Sequence, residues 1–261
     1  MHLFVLSLLT LTIAGPALAS DGVLEINFTC AVNTGCFPGD PAGFPVTISI
    51  PGSYRLTSNL SIGLLPGGEN NVDFIRIEAD DVTLDLGGFR ISCRDAFGGS
   101  PCPGGGEGVH ASDVSGSSVK NGSITGMGGD GIFLAERSEV TNLRVRSNGG
   151  EGIQGFAEMK ISGNIVIENG GSGIRIGANS IVSDNLVYNN ANHGIDVDVG
   201  SAIQRNVVRE NGGFGLRLSL TTAYHANVIT DNVLGPLGLS VGENRGHNFC
   251  SGNNVVLDTC P

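Results

Sequence analysis

Gly131, Gly152, Gly173, Gly194 and Gly215 follow one another in steps of 21, and each opens a similar phrase: GIFLA, GIQGF, GIRIG, GIDVD and GLRLS. Four equal steps mean that one structural unit is copied along the chain. A unit this short cannot bury an apolar face alone, so neighbouring copies must stack and share a core. After each glycine the apolar residues alternate: Ile132/Leu134, Ile174/Ile176, Ile195/Val197 and Leu216/Leu218. Period two marks a strand with one buried face. Two more apolar rows keep the same step. One is Val140, Ile161, Val182, Ile203 and Tyr224; the other is Val145, Val166, Val187, Val208 and Ile229. No segment carries a helical period. Three short strands per unit make one turn of a three-sided coil, and stacked turns pair in parallel. The expected fold is all-β: a single-stranded parallel β-helix, one repeat unit to each coil, capped at both ends.

Asparagine repeats with the glycines. Asn148, Asn169, Asn190, Asn211 and Asn232 form one row, and Asn164, Asn185, Asn206 and Asn227 another. Asparagine tolerates left-handed backbone at turns, and stacked amides can hydrogen-bond from coil to coil. Both rows, like the glycine row, read as structural.

The units GIRIGANSIVSDNLVYNNANH (173–193) and GIDVDVGSAIQRNVVRENGGF (194–214) resemble the repeats of right-handed parallel β-helix proteins of the pectin-lyase-like superfamily. DDVTLDLGGFRIS (80–92) is similar to the opening coil of many secreted members. The resemblance covers roughly residues 72 to 256. It implies the right-handed winding, which the repeat spacing alone does not. It leaves function open, because lyases, hydrolases, epimerases, tailspikes and adhesins share the fold.

Residues 1–19 read as a secretory signal peptide, with an apolar run from Leu3 to Ile13 and cleavage expected after Ala19. The n-region departs from the usual pattern in having His2 and no Lys or Arg. The run is too short to span a bilayer as an anchor. An exported chain is expected, with no membrane insertion. Six cysteines in such a chain read as disulfides. They fall in near pairs, and the favoured pairing is Cys30–Cys36, Cys93–Cys102 and Cys250–Cys260. The spacings fit no zinc ligand set. A net charge of −11 disfavours nucleic acid, which needs basic patches.

Residues 20–71 do not repeat and are expected to cap the first coil, with strands in VTISI (46–50) and YRLTSNLSI (54–62). Residues 72–261 are assigned to the β-helix and its C-terminal cap. RDAFGGSPCPGGGE (94–107) is a glycine-proline loop leaving the stack, and GNNVVLDTC (252–260) is expected to add a last partial coil.

Chemistry is expected on the outward face of the strand that follows each glycine. One row there reads His110, Phe133, Gln154, Arg175, Asp196, Arg217; the next reads Ser112, Ala135, Phe156, Gly177, Asp198, Ser219. Neighbours in a row stand about 4.8 Å apart. Arg175, Asp196 and Arg217 should therefore lie side by side, with Asp198 near. Opposite charges on adjacent strands also stabilise a solvated sheet, so the pattern has a purely structural reading. If Phe156 points outward, Gly155 leaves a hole in the core, which a bulge turning Phe156 inward would fill. Glu107, Asp130 and Glu151 share one position in three successive coils, and stacked like charges could be relieved by calcium. The GGxGxD calcium repeat is not matched. His193 and His225 are candidate bases, His193 lying near Asp196. The polygalacturonase and epimerase motifs are missing, and no serine or cysteine nucleophile arrangement stands out. The leading expectation is a secreted or cell-surface module that binds a glycan through Phe133, Gln154, Arg175, Asp196, Asp198 and Arg217. The alternatives are a polysaccharide lyase or epimerase, using Arg175 or His193 as base with Asp196 and Asp198 assisting, and a purely structural surface protein. No cofactor is expected beyond the possible calcium at Glu107, Asp130 and Glu151.

Overall fold

The computed structural model describes residues 22–62, 71–93, 101–238, 242–252, 255–257 and 260. The expected signal peptide lies outside the described residues, as do residues 94–100 of the glycine-proline loop. The chain winds as stacked coils whose strands pair in parallel. The first sheet holds nine strands, from Val46–Ile48 to Gly235–Leu237. Its inward row runs Val46, Ile75, Val109, Ile132, Ile153, Ile174, Ile195 and Leu216, each in register with the next. None of these side chains touches solvent. Each such burial is worth roughly 1.5–3 kcal/mol. The other two sides merge where Ser118–Thr125 and Glu139–Arg146 run through the corner between them. In later coils that stretch splits, as into Lys160–Ser162 and Ile165–Ile167.

The glycine row is set by space and not by backbone angle, since none of its members has a positive φ. A Cβ on Gly131, Gly152, Gly173, Gly194 or Gly215 would meet the coil's own Val145, Val166, Val187, Val208 or Ile229 at 2.3–2.5 Å. The third apolar row thus occupies the volume that the glycines vacate.

Both asparagine rows form buried ladders. Asn169 Nδ2 donates to Asn190 Oδ1 at 2.9 Å, and Asn190 Nδ2 donates to Asn211 Oδ1 at 2.9 Å. The second row repeats this, Asn164 to Asn185 and Asn185 to Asn206, each at 3.0 Å. Spare N–H groups reach backbone carbonyls such as Val166 O and Ile161 O. The left-handed backbone expected at these asparagines falls one residue earlier, on Ser147, Glu168, Asn189, Glu210 and Asp231, and on Gly163, Asp184, Arg205 and Ala226. A third left-handed row, Arg137, Glu158, Asn179, Gly200 and Thr221, turns the remaining corner.

The coil stack begins earlier than residue 72. Val46–Ile48 pairs with Ile75–Ile77, Gly52–Leu56 with Val82–Asp85, and Leu60–Ile62 with Arg90–Cys93. The two strands expected in 46–62 are therefore three, one on each side of a full coil. Ahead of it stand the strand Val23–Ile26, paired with Gly52–Leu56, and a short helix, Phe28–Asn33, whose Ala31 joins the core. Disulfides link Cys30–Cys36, Cys93–Cys102 and Cys250–Cys260. The C-terminal end differs from a partial coil: Phe249–Gly252 pairs antiparallel with Val255–Leu257. An antiparallel return covers the last sheet edge and blocks further pairing. No helix among the described residues is long and apolar enough to cross a membrane.

Candidate functional site on the first sheet

The first sheet's outward row is continuous: Thr47, Arg76, His110, Phe133, Gln154, Arg175, Asp196 and Arg217 stand in register. The expected Arg–Asp–Arg triple resolves into two pairs. Arg217 Nη1 reaches both Asp196 oxygens, at 3.0 and 2.9 Å. Arg175 turns instead to Glu151, at 3.4 Å. Asp198 accepts from Ser219 Oγ at 3.3 Å. A groove of about 260 Å³ runs between Gln154, Phe156, Arg175, Asp196, Asp198 and Arg217. The structure thus gathers five of the expected ligand-binding residues in one groove. Phe133 stands outside that lining, packed edge-on against Phe156 at 5.4 Å.

Phe156 points outward and is 45% exposed. The hole left by the buried Gly155 is filled by Met159, whose Cε would lie 2.7 Å from a Cβ there. No bulge turns the ring inward. The outward aromatic surface continues to His110, 5.8 Å from Phe133 and edge-on to it.

The two candidate bases are engaged elsewhere. His193 stacks on Phe214 at 5.7 Å, and its Nδ1 accepts the Phe214 N–H at 3.0 Å. In the neutral ring the proton then sits on Nε2, and no lone pair is left to take another. Burial holds His193 below its ordinary value, so this neutral form is the populated one near pH 7. His225 sits in the strand Ala223–His225, which belongs to another sheet, against Arg245 O and the His247 ring.

Glu107, Asp130 and Glu151 line up as expected, and Asp130 interacts with Glu151, but among the described residues the three do not gather into one metal-sized cluster. Asp130 Oδ1 accepts the Glu151 N–H at 2.7 Å, and Glu151 pairs with Arg175. Burial, with the charge of Asp73 adding, pushes Glu107 up to about 8. Burial also pushes Asp130 up to about 7, helped by Glu151 and Glu107 and opposed by the Glu151 N–H. A proton on either group lowers the like-charge repulsion in the row. Among the described residues, the acid and histidine ligand atoms that do converge, within 4.8 Å, are those of Asp73, Glu107 and His110. Both ring nitrogens of His110 are already in hydrogen bonds, Nδ1 with Glu107 Oε2 and Nε2 with Ser112 Oγ, each at 2.9 Å.

Asp73, Arg76, His110, Ser112 and Phe156 belong to this face and were not among the expected ligand or metal residues. Arg76 Nη2 donates to Asp73 Oδ2 at 2.7 Å, and the Glu107 N–H donates to Asp73 Oδ1 at 3.0 Å. The usable signal was strand alternation, which puts His110 and Ser112 on one face.

A family model for the right-handed β-helix region matches residues 107–255. No curated protein sequence matches the chain. Solved structures of similar shape include the A-module of a mannuronan C-5 epimerase from Azotobacter vinelandii. It is 14% identical at a TM-score of 0.49, over 88% of this chain and 78% of that one. A double mutant of a periplasmic alginate epimerase is 13% identical at 0.42, over 87% and 83%. The enzymatically active domain of tailspike protein 2 of bacteriophage CBA120 is 14% identical at 0.39, over 76% of this chain and 37% of that one. Likeness this remote says nothing about chemistry. The family match spans more than half of the chain, over the coils just described: the chain belongs to the right-handed β-helix family.

Proposed function

We propose that this is an exported β-helix protein that binds a glycan along the outward face of its first sheet. The observation that carries the reading is the groove beside Phe156. An exposed ring, an amide, two guanidinium groups and two carboxylates meet in about 260 Å³. Sugars are held by ring stacking and by convergent polar groups of this kind. Three disulfides and the signal-like residues 1–19 support a site of action outside the cytoplasm. A lyase or epimerase reading would need a base within the groove itself. The His193 lone pair is occupied, Arg175 pairs with Glu151 and Arg217 with Asp196, so binding accounts for the groove better than turnover does.

The test is affinity electrophoresis in gels cast with neutral and acidic polysaccharides. Phe156→Ala and Arg175→Ala should each weaken retention about tenfold, roughly 1.4 kcal/mol, with unchanged melting temperature. Unsaturated product appearing in the same mixtures would move the reading to a lyase. No retention by the wild type on any gel, with calcium or with chelator, would leave a purely structural protein.

A further inference from the structure

We propose that Ser112, His110 and Glu107 form a serine-hydrolase centre that cleaves short-chain carboxylic esters. Glu107 Oε2 lies 2.9 Å from His110 Nδ1, and His110 Nε2 lies 2.9 Å from Ser112 Oγ. This is the order of contacts by which an acid orients a histidine and the histidine activates a serine. With Glu107 ionised, its carboxylate accepts the Nδ1 proton. That fixes the tautomer whose Nε2 lone pair accepts the Ser112 hydroxyl. Glu107 is the positioning residue of the set, and Ser112 and His110 are the groups that meet substrate.

A second observation, independent of these contacts, points to the same place. Along the first sheet the residue after each three-residue strand donates its N–H to the preceding coil: Ala135 to Ala111 O, Phe156 to Leu134 O and Gly177 to Gly155 O. At Ser112 the ladder stops, since Ile75 and Arg76 pair with Val109 and His110 and the register goes no further. Among the described residues, the Ser112 N–H has no acceptor. An unused N–H on the nucleophile itself is the donor that an ester's carbonyl oxygen needs as it takes up charge. Ser112 and His110 are half-buried, so they are both reachable and partly screened from water. Next to Ser112 in the following coil stands Ala135, and next to His110 stands Phe133. The nucleophile thus has a methyl-sized neighbour and the base a ring neighbour.

The steps balance without a further reagent. Ser112 Oγ attacks the carbonyl carbon while its proton passes to His110 Nε2. The tetrahedral intermediate collapses, the bond to the alcohol oxygen breaks, and His110 returns the proton to that oxygen. Water then gives a proton to His110 and attacks the acyl carbon. Collapse releases the carboxylic acid and restores the Ser112 hydroxyl. The sum is ester plus water giving acid plus alcohol.

The experiment uses the purified protein with p-nitrophenyl acetate and, separately, a fluorophosphonate, at a pH above the Glu107 value of about 8. The expected result is a p-nitrophenol burst equal to the protein present. Acid quenching should then trap an acetyl group on the peptide containing Ser112, and the fluorophosphonate should label the same peptide. Ser112→Ala should abolish the burst and the label. Glu107→Gln keeps the shape but supports the wrong tautomer, and it should slow acylation about 10²-fold or more. Circular dichroism confirms folding, and Ser219→Ala, on the same row but away from His110, should react like the wild type. A folded wild type that shows neither burst nor label on Ser112 overturns the proposal. So does ester cleavage that persists unchanged in Ser112→Ala.

Discussion

Gly173→Ala tests whether the glycine row exists to receive the branched side chain across the coil. The new Cβ would lie 2.4 Å from Val187 Cγ1, 2.8 Å from Asn190 Nδ2 and 2.9 Å from Gly194 O. Overpacking a filled core costs about 1–3 kcal/mol. Val187 is wholly buried, and Val187→Ala alone should cost about 2–3 kcal/mol in lost transfer energy and cavity. If the two positions were independent, the double variant would carry both penalties. The structure says otherwise, because Val187→Ala removes the atom that makes the closest clash. The double variant should be more stable than the sum by about 1–2 kcal/mol. The remaining close approaches to Asn190 and Gly194 O keep the rescue incomplete. The assay is urea unfolding of the wild type, both single variants and the double, followed by far-ultraviolet circular dichroism. Strict additivity would refute the packing account and leave the glycines with some other role.

Asn190→Ala removes a buried rung that accepts from the Asn169 N–H and Nδ2 and donates to Val166 O, Tyr188 O and Asn211 Oδ1. At about 1 kcal/mol or more per stranded group, it should lower stability by several kcal/mol, while the exposed Asn192→Ala should fall within about 0.5; equal unfolding midpoints would contradict the ladder. Glu107 and Asp130 hold folded values of about 8 and about 7, above their ordinary 4.5 and 3.8. The folded state therefore keeps protons that the unfolded chain has shed, and stability from these groups is complete in acid and lost as pH rises toward 7–8. Melting temperature in chelator should fall over that window, and Glu107→Gln with Asp130→Asn should flatten the slope; calcium raising it at the alkaline end would instead favour a cation in the row. Reduction should loosen the ends before the middle, because the three bridges join cysteines with sequence separations of only 6, 9 and 10; hydrogen exchange that rises first in the strands between Ile132 and Leu218 would count against this.

The fold was legible where one length repeats and hidden where it does not. From Ile132 onward the first-sheet strands recur in equal steps, to Ile153, Ile174 and Ile195. The earlier steps, from Val46 to Ile75 to Val109 to Ile132, are longer and unequal. Extra residues at the corners break the period there without breaking the register, which is why a full coil at 46–62 read as a cap. The left-handed corners were invisible for a different reason. Residues such as Arg137, Glu168, Asp184 and Thr221 hold them far more often than glycine does, because paired strands on both sides of the corner outweigh the local penalty. The glycine row was visible, but its cause was not, since the clash it avoids is with a residue from a different row of the same coil, as Gly173 with Val187.

The site was half legible because its residues were read along rows alone. A β-helix surface is a two-dimensional lattice, and side chains choose partners in either direction. Steps of 21 join equivalent positions, as Asp196 with Arg217. Steps of 3 cross from the coil mouth to the strand, as Asp73 with Arg76 and Glu107 with His110. The diagonal step of 24 joins Glu151 to Arg175. Row reading sees the first kind and predicts repulsion among Glu107, Asp130 and Glu151. It misses that two of these carboxylates face a cation or an imidazole along the other directions. The same omission separated His110 from its neighbours: Ser112 follows it just past the end of its strand, and Glu107 precedes it at the coil mouth. Each was noted as a member of a different row. The short steps along the chain at the coil mouth bring an acid, an imidazole and a hydroxyl into one chain of hydrogen bonds.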